Sequence, residues 1–480
     1  MKSYIATFLS SIVSVTAFEK IPYVGSLPIP TPQQLRYQGS ISGLIHFGMS
    51  TFAHDGDPGC TELNWNGCDP AGGCNTSQVS TFNPVNFSVT NWIASFNALG
   101  ATSAVLTAKH GCGFLGWQTK TTLPDGSPYR YHVPDEYLVV DEFVKEMKNA
   151  GLGYGFYYSL TNNFYLNEFG HNVRPSNTLL PGQANVTQQQ YEDIAVAQVH
   201  ELWTQFGPQN EIWLDGGVGD LGDRIAAMIN STYARNAVAF NGGGVSENPV
   251  RWCGTEGGQP SGWPTVWSTS CCGWCPDGSG SGCPPNSTGA MYQPSGVDVT
   301  LQQGDHWFYT PGDALHPLSD LITFYHRSVG ANAHLEIDFA IDRTGRVDPV
   351  HAVGYASFGN WIRSCYGKPL VTSSLPSGAT TFIIQVSGTE PIDRVSMQED
   401  QTIGQMIISY TVEAQVNGAW QPFSSGVTIG SNRIDVISTS IKPTAFRFTV
   451  TAGFEVPTGL VFNAFAASTC DPSPFEYPTM

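Results

Sequence analysis

The chain has 480 residues, 41% hydrophobic and only 12% charged, enough apolar content for a large buried core over two domains and too much for a disordered chain. Its 39 acidic and 21 basic residues leave a formal net charge of -18, which repels phosphate backbones and anionic lipid surfaces. Neither nucleic acid nor a membrane is therefore expected as a partner.

Met1-Lys2 opens the chain with a positive charge, Ile5 to Val15 is largely apolar, and Val15-Thr16-Ala17 supplies small residues suited to cleavage. Residues 1–17 therefore read as a secretory signal peptide, and the mature protein as secreted, extracellular and soluble. No later segment is long and apolar enough for a transmembrane helix. Eleven cysteines fit that compartment, and their odd number leaves at least one thiol unpaired. Cys112 is the expected free one, since it follows a predicted strand while the others mostly lie in Gly/Pro-rich loops. Cys271, Cys272, Cys275 and Cys283 could also form a zinc ligand set, but Pro, Gly and Ser in a secreted chain favour disulfides. Sequons at Asn75, Asn86, Asn185, Asn230 and Asn286 mark expected surface positions and N-glycan acceptors.

Along the chain, the apolar run Leu44-Ile45 leads into His46. Ser88 can cap a helix presenting Val89, Trp92, Ile93, Phe96 and Leu99 on one face, with Gly100 at its stop. A strand from Ala101 to His110 follows. Asp141 to Ala150 reads as a helix stopped by Gly151, and Gly153 to Leu160 as the next strand. A helix over roughly Thr187 to Phe206 breaks at Gly207-Pro208 before Glu211-Ile212-Trp213-Leu214-Asp215, where a carboxylate ends an otherwise apolar strand. Ile225 to Ile229 suggests a helix, Ala237 to Phe240 and Val250 to Cys253 strands, Leu315 to Val329 a late helix and His334 to Ile341 a late strand.

Repeated strand–helix alternation predicts an α/β fold, a (β/α)8-like barrel over residues 18–365, whose chemistry sits at the carboxyl ends of its strands. An open doubly wound sheet fits less well, because no strand leads into a phosphate-binding Gly-rich turn. Beyond Cys365 the texture changes to short alternating runs, which predict a C-terminal β-sandwich over residues 366–480.

Glycoside hydrolysis needs two carboxyl groups in one pocket. Asp215 is the first candidate, and Glu256, after the strand Val250-Arg251-Trp252-Cys253, is the second. Packing Glu256 near Trp263 and Trp267 would raise its pKa and suit it to donate a proton. An exposed loop glutamate is the plainer alternative. Trp and Tyr faces cover the C–H patches of a pyranose, while Asp, His and Arg side chains hold its hydroxyls; Arg251 is the nearby guanidinium. Trp65, Trp117, Trp213, Trp252 and Trp307 all fall near predicted strand ends, although each alone is as readily a core residue. No cofactor motif is evident, and no metal or cofactor is expected.

Gly43-Leu44-Ile45-His46-Phe47-Gly48-Met49, Phe82-Asn83-Pro84 with Trp92, Lys109-His110 through Gly113-Phe114 and Trp117, Tyr157-Tyr158-Ser159, and Ile212-Trp213-Leu214-Asp215-Gly216 together resemble the α-L-fucosidases of glycoside hydrolase family 29. The resemblance runs from about residue 35 to 350, through His306-Trp307-Phe308 and Asp342-Arg343-Thr344-Gly345-Arg346. It implies a barrel with a C-terminal β-sandwich, and retaining hydrolysis of terminal α-L-fucosyl bonds of oligosaccharides or glycoprotein glycans. By that resemblance Asp215 is the nucleophile and Glu256 the acid/base. His46, His110 and Tyr158 hold fucose hydroxyls, and Glu62 with Trp65 plays the part of a Glu-Trp pair after the first strand. His46-Phe47-Gly48-Met49 leans toward the branch selective for α-1,3/4-linked fucose. The family's usual Lys-His-His-Asp-Gly-Phe is here Lys109-His110-Gly111-Cys112-Gly113-Phe114, so an imidazole and a carboxylate are missing. A related barrel hydrolase acting on galactose, and a secreted carbohydrate-binding protein with a dead barrel, are the alternatives.

Overall fold

The computed structural model describes residues 18–22, 27–52, 79–253, 256–258, 267–268 and 291–470. The expected signal peptide, Glu62, Trp65, Trp263, Asn75, Asn286 and the cysteines at 60, 68, 74, 271, 272, 275 and 283 lie outside these residues.

Eight parallel strands close a barrel: β1 (Ile41–His46), β2 (Ser103–Lys109), β3 (Gly153–Ser159), β4 (Glu211–Asp215), β5 (Val238–Phe240), β6 (Pro249–Trp252), β7 (Ser295–Val299) and β8 (Ala333–Ala340). Chain order is spatial order, and β8 returns to pair β1, with Ala340 beside His46. Most connections carry a helix whose ends the sequence specifies. Ser88 accepts from the Asn91 amide at the start of the helix Val89–Leu99, and Gly100 ends it in the left-handed region at φ 91°. Thr187 and Gln190 form a reciprocal cap at the start of Gln188–Gln205.

Period-two alternation divides the apolar residues of β1 to β5 between two clusters. Leu44, Val105, Tyr157, Trp213, Val238, Phe240 and Val250 fill the lumen, together with Tyr37 at the end of the helix Pro32–Tyr37. The intervening residues, including Ile45, Leu106, Phe156, Tyr158, Ile212, Leu214, Leu335 and Ile337, join the layer between strands and helices. The core is therefore two concentric shells, and strand parity decides which shell a side chain enters.

After the helix Pro349–Tyr366 come eight further strands: β9 (Val371–Leu375), β10 (Thr381–Gln385), β11 (Ile392–Glu399), β12 (Ile407–Val416), β13 (Ala419–Gly426), β14 (Arg433–Ile441), β15 (Ala445–Gly453) and β16 (Leu460–Ala466). One sheet runs β9–β16–β11–β14. The other pairs β15 with β12 and β10, and β12 with β13. Ile392, Val395, Met397, Val412, Phe446, Phe448 and Phe462 pack between them. Glu19–Lys20 pairs in parallel with β15, so a segment assigned to the barrel from sequence joins the sandwich sheet instead. Cys365 and Cys470 form a disulfide that ties the last barrel helix to the chain after β16, while Cys112 is a buried free thiol, as its position predicted.

Candidate active site

At the carboxyl end of the barrel, inward-facing strand ends converge. Asp215 closes β4 and is half-buried, so solvent reaches its carboxylate. The Tyr157 hydroxyl, one strand away on β3, donates to Asp215 Oδ2 at 2.5 Å. Burial, then Asp215, Glu256 and Asp298, push the Tyr157 phenol well above its ordinary pKa, so it remains a protonated donor. The phenol thus lies within electrostatic reach of all three carboxyls.

His46, the last residue of β1, faces Asp338 of β8 through Nδ1 at 2.8 Å. That contact orients the ring, leaving Nε2 for a ligand. His46 lies 5.1 Å from the Trp307 ring and 5.1 Å edge-on from Phe308, and His110 stacks on Tyr157 at 5.7 Å. Burial lowers both imidazoles; His110 falls to about 4 although the Asp215 charge opposes the shift. Both are therefore neutral hydrogen-bonding groups near neutral pH, suited to sugar hydroxyls rather than to anions.

Glu256 sits on the loop after β6. Gly257 bridges Val299, and the Gly258 amide donates to the Asp298 carbonyl at 3.0 Å, so this loop is tied to the end of β7. Glu256 itself adopts φ 52°, an uncommon conformation for a residue with a side chain and one that recurs at functional sites. Gly258 is left-handed too, and a Cβ there would come within 2.8 Å of the Phe324 ring. Burial, then the charges of Asp305 and Asp215, hold the Glu256 carboxyl above its ordinary range, and a hydrogen bond with Trp307 pulls partly back. The raised value was expected from sequence on neighbouring indoles; its causes are burial and two carboxylates.

Several of the expectations change. Tyr158 is not a pocket residue: it pairs with outward-facing Leu214, and its hydroxyl donates to Gln198 at 2.7 Å behind the barrel wall. Tyr157 takes the inward position. Arg251 alternates with inward Val250 and Trp252, so its guanidinium points behind the wall and donates to Ser295 at 2.7 Å. Trp213 is inward but one layer below Asp215, stacked 4.3 Å from Phe240, a floor rather than a sugar platform. Trp117 donates to Glu201 at 2.9 Å in the outer shell, whereas Trp252 donates to Asp298 at 2.8 Å in the lumen. Trp307 stays at the site through His46 and Glu256. Asp298, Asp338 and Phe308 were missed. The first two alternate with apolar residues on their strands, a signal that was present in the sequence.

A half-exposed carboxylate, a second carboxyl biased toward its protonated form, neutral imidazoles and a ring of aromatic faces are the parts of a barrel glycoside hydrolase. The α-L-fucosidase family model matches residues 72–247. Alpha-L-fucosidase 1 of Arabidopsis thaliana is 25% identical over 458 residues, spanning 85% of this chain and 81% of the relative. A glycoside hydrolase 29 family member from an unknown rumen bacterium has a TM-score of 0.73 at 23% identity, covering 93% of this chain and 78% of its own. A Ruminococcus gnavus family 29 fucosidase solved in complex with fucose has a TM-score of 0.70 at 18% identity, covering 95% and 98%. The chain is thus similar in sequence to α-L-fucosidases and in fold to glycoside hydrolase family 29 structures.

Proposed function

We propose that this protein is a retaining exo-α-L-fucosidase in which Asp215 attacks the anomeric carbon while Glu256 protonates the departing oxygen. Glu256 then deprotonates the water that releases fucose from the covalent fucosyl-enzyme. The observation carrying this reading is the shared electrostatics of the pocket: the Asp215 charge raises the Glu256 carboxyl, and Tyr157 feels both. A general acid needs that bias, whereas a carbohydrate-binding protein has no use for it.

His46 and His110 are the hydroxyl-holding groups, and Trp307 and Phe308 wall the sugar beside them. The physiological substrate is a fucosylated oligosaccharide or glycoprotein glycan, with α-1,3/4 linkage the preference suggested by His46-Phe47-Gly48-Met49. Secretion is part of the same proposal. The Cys365–Cys470 disulfide and the exposed sequon asparagines Asn86, Asn185 and Asn230 support it.

The test is hydrolysis of aryl α-L-fucoside beside aryl galactosides, with the anomer first released read by NMR. Release of α-L-fucose with retained configuration is expected. Preference for the galactoside, or release of the β-anomer, would overturn the assignment.

A further inference from the structure

The barrel lumen holds a second group of polar side chains, beneath the sugar pocket and unused by the proposed reaction. Glu211 begins β4, while His334 and Glu336 occupy successive inward positions of β8. One ligand atom from each lies within 4.8 Å of the others, and all three residues are buried. In the barrel order, β4 and β8 stand four strands apart in either direction, so the group spans the lumen from wall to wall.

Three observations separate this group from an ordinary buried network. Glu211, 2% exposed, meets only the carboxyl of Glu336 and takes no hydrogen bond from a hydroxyl, amide or cation among the described residues, and the buried Tyr37 hydroxyl has no hydrogen-bond partner. Such groups are costly to bury unless something neutralises and coordinates them. Next, His334 Nδ1 lies 3.0 Å from the Tyr37 carbonyl, so that nitrogen carries the proton and Nε2 presents its lone pair to the lumen. A histidine fixed by a backbone carbonyl in this way is the usual posture of a metal ligand. Finally, the single Ser42 proton has two claimants, His334 Nε2 at 2.7 Å and Glu336 Oε1 at 3.2 Å. An ion on Nε2 would give that proton wholly to Glu336, whose other oxygen already accepts from Trp213 Nε1 at 2.8 Å.

We propose that Glu211, His334 and Glu336 form a structural site for one divalent transition-metal ion, Zn2+ or Mn2+, that staples β4 to β8 across the barrel. Two carboxylates and one imidazole match the ligand preferences of these ions. Two carboxylates would balance the charge of a divalent ion in this buried region. A cavity of about 390 Å³ at the amino end of the barrel is lined by Glu211, Tyr37, Ser40, Asn210 and Arg36 and gives the ion its approach. Gly296 makes room for the group, because a Cβ there would lie 2.5 Å from the Tyr37 hydroxyl. The staple lies directly beneath Trp213, which the Glu336 carboxylate holds.

Tag-free full-length protein, stripped by dialysis against a chelator, is titrated calorimetrically with Zn2+ alone and with Mn2+ alone. Saturable uptake of one ion per chain is expected, with a rise in melting temperature. Glu211→Gln and Glu336→Gln should each weaken uptake at least about 10- to 100-fold. If a variant fails to fold, pulsed electron paramagnetic resonance of Mn2+-loaded wild type decides, with coupling to one imidazole nitrogen expected. No saturable uptake up to about 1 mM, a manganese ion with oxygen ligands only, or unchanged uptake in both folded variants would overturn the site.

Discussion

Tyr157 and Asp215 face each other across the β3–β4 pairing, the phenol donating a 2.5 Å hydrogen bond to the carboxylate. The next residue, Tyr158, points the opposite way and donates to Gln198. Two adjacent tyrosines of identical chemistry therefore serve opposite shells of the barrel, and their substitutions should separate cleanly.

Tyr157→Phe removes a donor that orients Asp215 and is expected to lower kcat/KM about 10- to 100-fold, or ~1.4–2.7 kcal/mol of transition-state stabilisation. Tyr158→Phe strips a partner from buried Gln198 and should cost ~1 kcal/mol of stability while leaving kcat/KM nearly unchanged. Aryl α-L-fucoside kinetics beside thermal melts check both. Equal kinetic losses in the two variants would contradict the parity.

Asp215→Ala should reduce kcat by about three orders of magnitude or more, because it removes the group proposed to attack the anomeric carbon. Glu256→Ala should depend on the leaving group: a large loss with a poor leaving group such as an alkyl fucoside, a small one with dinitrophenyl fucoside, whose departure needs little protonation. The pH profile follows from the Glu256 shift. Its carboxyl is held above the ordinary range, so the protonated form persists to higher pH, and activity should decline as pH rises through that raised value. Glu256→Gln should abolish this alkaline limb. Its survival in the variant would assign the limb elsewhere.

The barrel was legible because buried parallel strands are short apolar runs, and these run into His46, Lys109-His110 and Asp215 at their carboxyl ends. What the runs hide is direction. In Gly153-Tyr154-Gly155-Phe156-Tyr157-Tyr158-Ser159 both shells receive aromatic residues, and the pairing of β2 with β3 shifts register between Thr107 and Lys109, so counting along one strand does not carry to the next. Arg251 was misplaced for the same reason, since a strand buried on both faces gives no polar side to count from. In β8 the parity was readable: His334, Glu336 and Asp338 alternate with Leu335, Ile337 and Phe339, although the segment passed as a plain strand. The Glu256 loop depends on contacts with β7 more than two score residues downstream, which no local pattern encodes.

Asp338→Asn tests how His46 is held. The carboxylate at 2.8 Å selects the tautomer with the proton on Nδ1, and an amide presenting its NH2 group would favour the opposite one. KM for the fucoside should rise and kcat/KM fall about 10- to 100-fold, with melting behaviour changed far less than by Asp338→Leu. His46 is already pushed well below its ordinary pKa by burial, so the variant should not introduce a new ionisation between pH 5 and 8. A new limb in that range would show that Asp338 acts by setting charge rather than by setting tautomer.

Stability should fall as the solution becomes alkaline. Burial pushes Asp298 up to about 8, against the hydrogen bond from Trp252, and pushes Glu399 of the sandwich up to about 8 despite three backbone amides donating to it. A carboxyl whose pKa is higher folded than unfolded binds more protons in the native state, so its contribution is fully present below the unfolded value and disappears through the folded one. The window here runs from about 4 to about 8, and the melting temperature should drop by several degrees between pH 5.5 and 8.5. Asp298→Asn keeps an oxygen for the Trp252 indole but cannot ionise, so it should flatten part of that slope and leave the Glu399 share intact. Glu399→Gln should flatten its own share, at some cost to the amide contacts. Parallel slopes in wild type and both variants would mean that these carboxyls find other charge partners on ionisation and that the alkaline loss arises elsewhere.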